Sequence, residues 1–328
     1  MTFPYPSQPL ALGVHTELFD GFAGYRLTSH TSKHILLHMN KLPVEKRVAF
    51  LGAIVEGMGV RAACRILGIA KGTGLKLVRE VGAGCEAYQR QWIRGLETTR
   101  VEADEVWSFC YSKEKNVPAG IPQEVRDRFG WGDVWTWTAL DATSKLMITW
   151  RVGDRSAATG DPFIQDIADR VTGRIQLSTD GHAVYPQAVE LAFAGNVDYA
   201  TVIKEYASTP GTTDKPAHVR YSPGVCLGVM KTRVQGEPDM KLASTSYVER
   251  SNLAVRMLNR RFTRLTNSFS KRIEYHKAAL ALTFFYYNFC RKHSTLKGKT
   301  PAMAAGIATT VWTVRDMLFA ADQHAALS

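Results

Sequence analysis

The sequence predicts an α/β fold: a mixed five-stranded sheet flanked by helices, preceded by an all-α helix-turn-helix segment and followed by a helical tail. Three observations predict it. From Arg100 onward three apolar runs follow one another as a meander, "VEADEVWSFCY", "VWTWTALD" and "LMITWRV". Helix and strand patterns then alternate through Tyr206, the order that builds a parallel or mixed sheet. On either side of this block the apolar spacing becomes that of a helix.

Taken in order, residues 1–40 show weak periodicity and several Pro and Gly, and read as an arm. Within it His30, His34 and His38 would stack on one helix face, but no acid or cysteine nearby completes a metal site. In "PVEKRVAFLGAIVEG" the spacing of Val48, Leu51, Ile54 and Val55 is helical. In "VRAACRILGIAKGTGLKLVREVG", Ala62, Ala63, Ile66 and Leu67 mark a short helix, Gly68-Ile69 a turn, and Leu75, Val78 and Val81 a second helix. This helix-turn-helix layout, placed at 41–97, would offer Lys71, Thr73, Lys76 and Arg79 to a DNA major groove. A three-helix packing unit that binds nothing would share the spacing, and Gly72 and Gly74 weaken the second helix.

The central block spans 98–270. Residues 112–133 read as an excursion between the first two strands; a helix capped near Ser156, the strand "RIQLSTD", the helix "HAVYPQAVELAF" and the strand "VDYATVIKEY" follow. The Pro-, Gly- and Thr-rich stretch 207–243 reads as an insertion, and a helix at 245–260 closes the block. The tail, 271–328, is basic and mostly helical from Ile273. Trp107, Trp135, Trp137, Tyr286 and Tyr287 are assigned to packing.

Composition narrows the function. With 328 residues, 45% hydrophobic and 22% charged, the chain is expected to be a soluble globular protein of about two domains, which excludes wholesale disorder and a membrane bundle. It shows no apolar span of about 20 residues and no signal-peptide pattern in "MTFPYPSQPL", so a cytoplasmic, nucleoid-associated location is expected. Five scattered cysteines with no C-x-x-C pair exclude a disulfide framework and a zinc knuckle. The net charge is +11, and between Arg250 and Thr300 twelve Lys or Arg face one acid, Glu274. Such an excess points to a polyanion, nucleic acid.

Three carboxylates carry the chemistry. Asp104 and Glu105 lie inside the first apolar strand, where alternation puts one on each face, and a buried carboxylate needs a partner. Asp180 follows "RIQLST" at the carboxyl edge where such sheets place ligand groups, though capping the next helix would equally explain it. On a helix, Glu249 shares a stripe with Leu253, Arg256 and Arg260. Two strand acids and one helix acid converging at one sheet end can hold two Mg2+ ions roughly 3.5–4 Å apart for phosphoryl transfer.

The blocks "VEADEVWSF", "TDGHAVYPQAV", "SYVERSNLAVRMLNRRFTRLTN" and "YYNFCRKHSTLKGKTPAMAAG" together resemble the Asp-Asp-Glu transposases of bacterial insertion sequences, and in particular the insertion sequence 1 family. The resemblance runs from about Thr98 to about Ile307. It implies an RNase H-like, retroviral-integrase-like core in which Asp104, Asp180 and Glu249 are catalytic and bind two Mg2+ ions, with Mn2+ a possible substitute. Arg250, Asn252, Arg256 and Arg260 would contact DNA, and His182 is a possible accessory group or a simple helix-terminus residue. The implied partners are double-stranded DNA, both terminal inverted repeats and target, and a second copy of the chain. The 69 residues between Asp180 and Glu249 are a wider gap than in compact members, and the zinc finger of some relatives is absent.

The competing readings are a silent or domesticated helix-turn-helix DNA-binding regulator and a ribonuclease acting on RNA–DNA hybrids. A tyrosine recombinase is disfavoured because "YYNF" lacks an Arg-His constellation around it.

Overall fold

A computed structural model describes residues 41–206, 226–263 and 266–325. The arm with its three histidines and the first half of the expected insertion lie outside the described residues. The described residues from Val44 onward form one compact unit.

Three helices open it: α1 (Val44–Val55), α2 (Val60–Leu67) and α3 (Lys71–Trp92). The turn between α2 and α3 is tight because Gly68 ends α2 at φ 61°, a left-handed conformation open to glycine. The buried face of α2 is Ala63 and Cys64, continued by Ile69, whereas Ile66, expected inside, is 69% exposed. In α3 the residues Leu77, Val78 and Val81 face inward, while Leu75 is only half-buried. Gly74, read from sequence as a weakness, sits where the helices cross: a Cβ there would lie 2.5 Å from Cys64 Sγ and 3.0 Å from the Phe50 ring.

The sheet has six strands, β1 (Arg100–Cys110), β2 (Gly132–Asp141), β3 (Met147–Gly153), β4 (Ile175–Thr179), β5 (Val197–Tyr206) and β6 (Cys226–Gln235). Their order is β3-β2-β1-β4-β5-β6. β1 to β3 form the expected antiparallel meander, β4 and β5 run parallel to β1, and β6 is antiparallel to β5. The sixth strand corrects the expected count of five: residues 226–235, read as insertion, form an edge strand. It is exposed along nearly its whole length, so it carries no buried alternating face to announce it. Helix α4 (Gln123–Phe129) lies in the excursion between β1 and β2, α5 (Ala157–Ala168) follows β3, α6 (Tyr185–Phe193) follows β4, and α7 (Ser246–Leu258) follows β6. α5 starts after Ser156 as expected, but the Ser156 side chain does not cap it; Asp154 accepts Ser156 Oγ at 2.8 Å and Thr159 Oγ1 at 2.6 Å.

The tail contains α8 (Ile273–Phe285), which runs on as a wide turn over Tyr286–Cys290, then α9 (Pro301–Ala304) and α10 (Val314–Ala325). Leu280, Phe284 and Tyr287 close over the sheet against Val106, Leu140, Met147, Val248 and Val255. Burying a side chain of this size contributes about 1.5–3 kcal/mol, so this cluster holds α7 and α8 to one sheet face. The far half of α3 packs on the tail through Gly82 against Ala278 and Gly84 against Ala321. Arg47 in α1 also reaches Asp322 in α10 through two hydrogen bonds of 2.9 and 2.7 Å. Trp137 is fully buried, whereas Trp107 and Trp135 are half-buried beneath Lys113 and Arg155.

Candidate active site

Strand register brings the acids level. Glu102 of β1 pairs with Ser178 of β4, so two residues further along each strand Asp104 and Asp180 reach the same height. Alternation then separates the neighbours on β1. Glu102, Asp104 and Val106 face α7 and α8, while Glu105, paired with Trp137, faces α5 and α6.

Asp104 is held from two sides. Its Oδ1 accepts the Glu105 N–H at 2.8 Å, and its Oδ2 accepts Asn252 Nδ2 at 2.8 Å. Burial, then the charges of Asp180 and Glu249, push its pKa up to about 6. Asn252 in turn accepts from Thr138 Oγ1 at 3.1 Å and is only 7% exposed. Its amide thus links Asp104 to β2.

Glu105 is the residue that sequence reasoning noticed but left without a role. Its side chain is 1% exposed and pairs with Arg155 Nη2 at 3.1 Å. The same guanidinium lies 3.4 Å from Asp180 Oδ2. Glu105 Oε1 is buried without a hydrogen-bond partner; the Tyr185 hydroxyl leans on the same carboxyl without closing a bond of normal geometry. Burial, with the Asp180 and Asp104 charges added, pushes Glu105 up to about 7. Burial and the Glu105 carboxyl raise Tyr185 well above the usual phenol range.

Asp180 closes the turn that follows β4. Its Oδ1 accepts the His182 N–H at 2.9 Å, and its other oxygen faces Arg155. The His182 ring packs edge-on against Trp137 and Tyr185, at 5.6 and 6.0 Å between centroids, and Nδ1 is 3.5 Å from the Val184 amide. Burial, then Arg155, lowers its pKa, so the ring serves the turn as a neutral group.

Glu249 lines a cavity of about 500 Å3 together with Asp104, Glu105, Asn252, Leu253, Arg256 and Met257. Its helix is anchored by a residue the sequence did not disclose. Glu102 Oε2 accepts the Tyr247 and Val248 amides at 2.7 and 3.0 Å, capping α7 from β1. The Glu249 carboxylate accepts Thr245 Oγ1 at 2.7 Å and holds the Lys204 ammonium of β5 with both oxygens. Among the described residues, the acids that come within 4.8 Å of one another, one oxygen each, are Asp104, Glu105 and Asp180. Asp104 and Glu249 thus line one cavity, Asp180 adds its charge beside Asp104, and Glu249 is held by Lys204.

Arg250 is exposed and Arg256 half-exposed on α7. Arg260 lies beyond the end of the helix, in the turn Arg260–Phe262, so it leaves the stripe that sequence spacing assigned it. Lys71, Thr73, Lys76 and Arg79 are all exposed on α3, remote in sequence from the acids, and Lys76 is 3.7 Å from Glu80. The donor set at the acids is all oxygen, with a buried carboxyl oxygen left unsatisfied, which fits a hard divalent cation such as Mg2+ or Mn2+.

Fold and site together define an α/β protein with a carboxylate cleft at the carboxyl end of its parallel strands. The sequence matches no family model and no curated protein. Among solved structures it is similar to the Mos1 strand transfer complex, at 13% identity over 56% of this chain and 60% of that chain, with a TM-score of 0.21. It is also similar to a pre-cleavage Mos1 transpososome, at 9% identity over 95% of this chain and 82% of that one, with a TM-score of 0.27. At such scores the likeness carries no residue correspondence, and the site stands on its own geometry.

Proposed function

We propose that this protein is a DNA transposase of the Asp-Asp-Glu class, with an RNase H-like core, cutting phosphodiesters at element ends and joining the freed 3′-OH to target DNA. What supports this reading is that Asp104 of β1 and Glu249 of α7 line one cavity, with an oxygen of Asp180, just past β4, within 4.8 Å of one of Asp104, in a chain of net charge +11. Divalent cations bound there, Mg2+ or Mn2+, would activate the attacking oxygen and stabilise the leaving one.

The chain's own residues supply the rest. Asn252 holds Asp104 in one orientation, Glu102 fixes the start of α7, and Arg155 holds Glu105 and Asp180 together. Arg250 and Arg256 of α7, with Arg260 just beyond it, offer charge to the phosphate backbone. The exposed Lys71, Thr73, Lys76 and Arg79 of α3 would read the terminal repeats in the major groove, as in a helix-turn-helix protein. Bringing two ends together calls for at least two copies of the chain, bound to DNA in a bacterial nucleoid and related to the insertion sequence 1 family.

One observation favours a second reading, a silent DNA-binding regulator: the carboxylate of Glu249 is already neutralised by Lys204. Incubation of the protein with a labelled duplex and Mg2+ separates the two. Nicking by the wild type that disappears in Asp104→Ala supports the transposase; salt-sensitive binding without nicking supports the regulator.

A further inference from the structure

The site holds more fixed positive charge than three metal-binding acids require. Four carboxylates lie near one another there, Asp104, Glu105, Asp180 and Glu249, and Arg155 and Lys204 are among the cations that contact them. Arg155 bridges Glu105 and Asp180 at 3.1 and 3.4 Å, and Lys204 is engaged by both oxygens of Glu249.

The placement of the acids says where that ion would go. Asp104, Glu105 and Asp180 bring one oxygen each within 4.8 Å of the others, and Glu105, with its side chain 1% exposed, keeps an oxygen without a hydrogen-bond partner. Glu249 is outside this group. Lys204 is set where it is by the strand: Ala200 and Val202 of β5 pack against Ala243 and Met240, so alternation aims Lys204 toward the start of α7. Its ammonium is therefore a built-in cation, not a surface charge that happened on a partner.

We propose that the protein without DNA holds one divalent cation, on Asp104, Glu105 and Asp180, and that Lys204 fills the place of a second cation at Glu249 until a substrate phosphate draws the ammonium away. This rests on the reading of the cleft as a phosphoryl-transfer site. It adds Glu105 to the ligands and makes occupancy of Glu249 depend on the substrate. A lysine is suited to the exchange, because its flexible stem can carry the charge from a carboxylate to a phosphate.

The test counts Mn2+ ions bound to the full-length protein, by calorimetry and by loss of the free-ion electron paramagnetic resonance signal. Thermal melting in EDTA confirms that each variant folds. The wild type is expected to bind one ion without DNA, Lys204→Met two, and Lys204→Arg one. Glu105→Gln is expected to weaken the first ion at least tenfold. Two ions on the wild type without DNA, or an unchanged count in Lys204→Met, would overturn the inference while leaving the catalytic reading intact. No Mn2+ binding by any of the proteins would remove the cation site itself, and the proposed function with it.

Discussion

Asn252 of α7 donates to Asp104 of β1 at 2.8 Å and accepts from Thr138 of β2 at 3.1 Å, so one buried amide ties the central carboxylate to the helix that carries Glu249. Strand and helix acids are thereby set against each other by a residue that need not touch DNA. Removing one member of such a bond leaves a buried polar group unsatisfied, at a cost of about 1–3 kcal/mol. Asn252→Leu is expected to lower stability by that amount in urea titration. Its nicking activity is expected to fall about 10–100-fold, the usual effect of losing a group that orients a ligand, with duplex affinity nearly unchanged.

The carboxyl cluster predicts a pH dependence. Folding raises Asp104 from 3.8 to about 6 and Glu105 from 4.5 to about 7, so between these limits the folded state binds more protons than the unfolded one. The stability they contribute is complete below their unfolded values and is lost as pH rises through about 6 to 7. Melting temperature in EDTA should therefore fall between pH 5 and 8 by this contribution. Glu105→Gln should flatten that slope, and added Mn2+ should restore stability at the alkaline end.

Glu102 caps α7 with a carboxylate that accepts two of its first amides. Loss of such a cap costs about 0.5–2 kcal/mol. Glu102→Ala is expected to show that loss by chemical denaturation. Hydrogen exchange should speed up at Tyr247 and Val248 before it changes at the buried strands.

If α3 enters the major groove, its cations contribute mainly through counterion release. Lys71→Ala, Lys76→Ala and Arg79→Ala should each weaken duplex binding, and each lost phosphate contact should reduce the salt slope by about one. Fluorescence anisotropy across a salt series measures this. An unchanged slope in the triple variant would return the three helices to a packing role.

Much of this was legible in the sequence because it depends on period and position. β5 was read at its observed limits, and the acids on β1 stood out because charge inside an apolar strand is costly. β6 was missed because a strand exposed on both faces has no pattern to read. Ile66 was placed inside because its spacing is helical, yet the helix ends a residue later and Ile69 takes its place in the core. The partners of the acids, Arg155 and Lys204, are illegible for another reason. Each is an ordinary charged residue until the register of strands lying far apart in sequence brings it to a carboxylate. That Asn252 bonds Asp104 is not legible either, because spacing alone does not say whether an amide on a helix faces the sheet or the solvent.

The most direct test is strand cleavage. A labelled duplex carrying the sequence that flanks the coding region would be incubated with Mg2+ or Mn2+ and either the wild type or Asp104→Ala, with folding and duplex binding checked in parallel. The account predicts metal-dependent nicking by the wild type and none by the variant, at equal binding. Equal nicking by both proteins would remove Asp104 from the chemistry, and binding without nicking by either would contradict the enzyme.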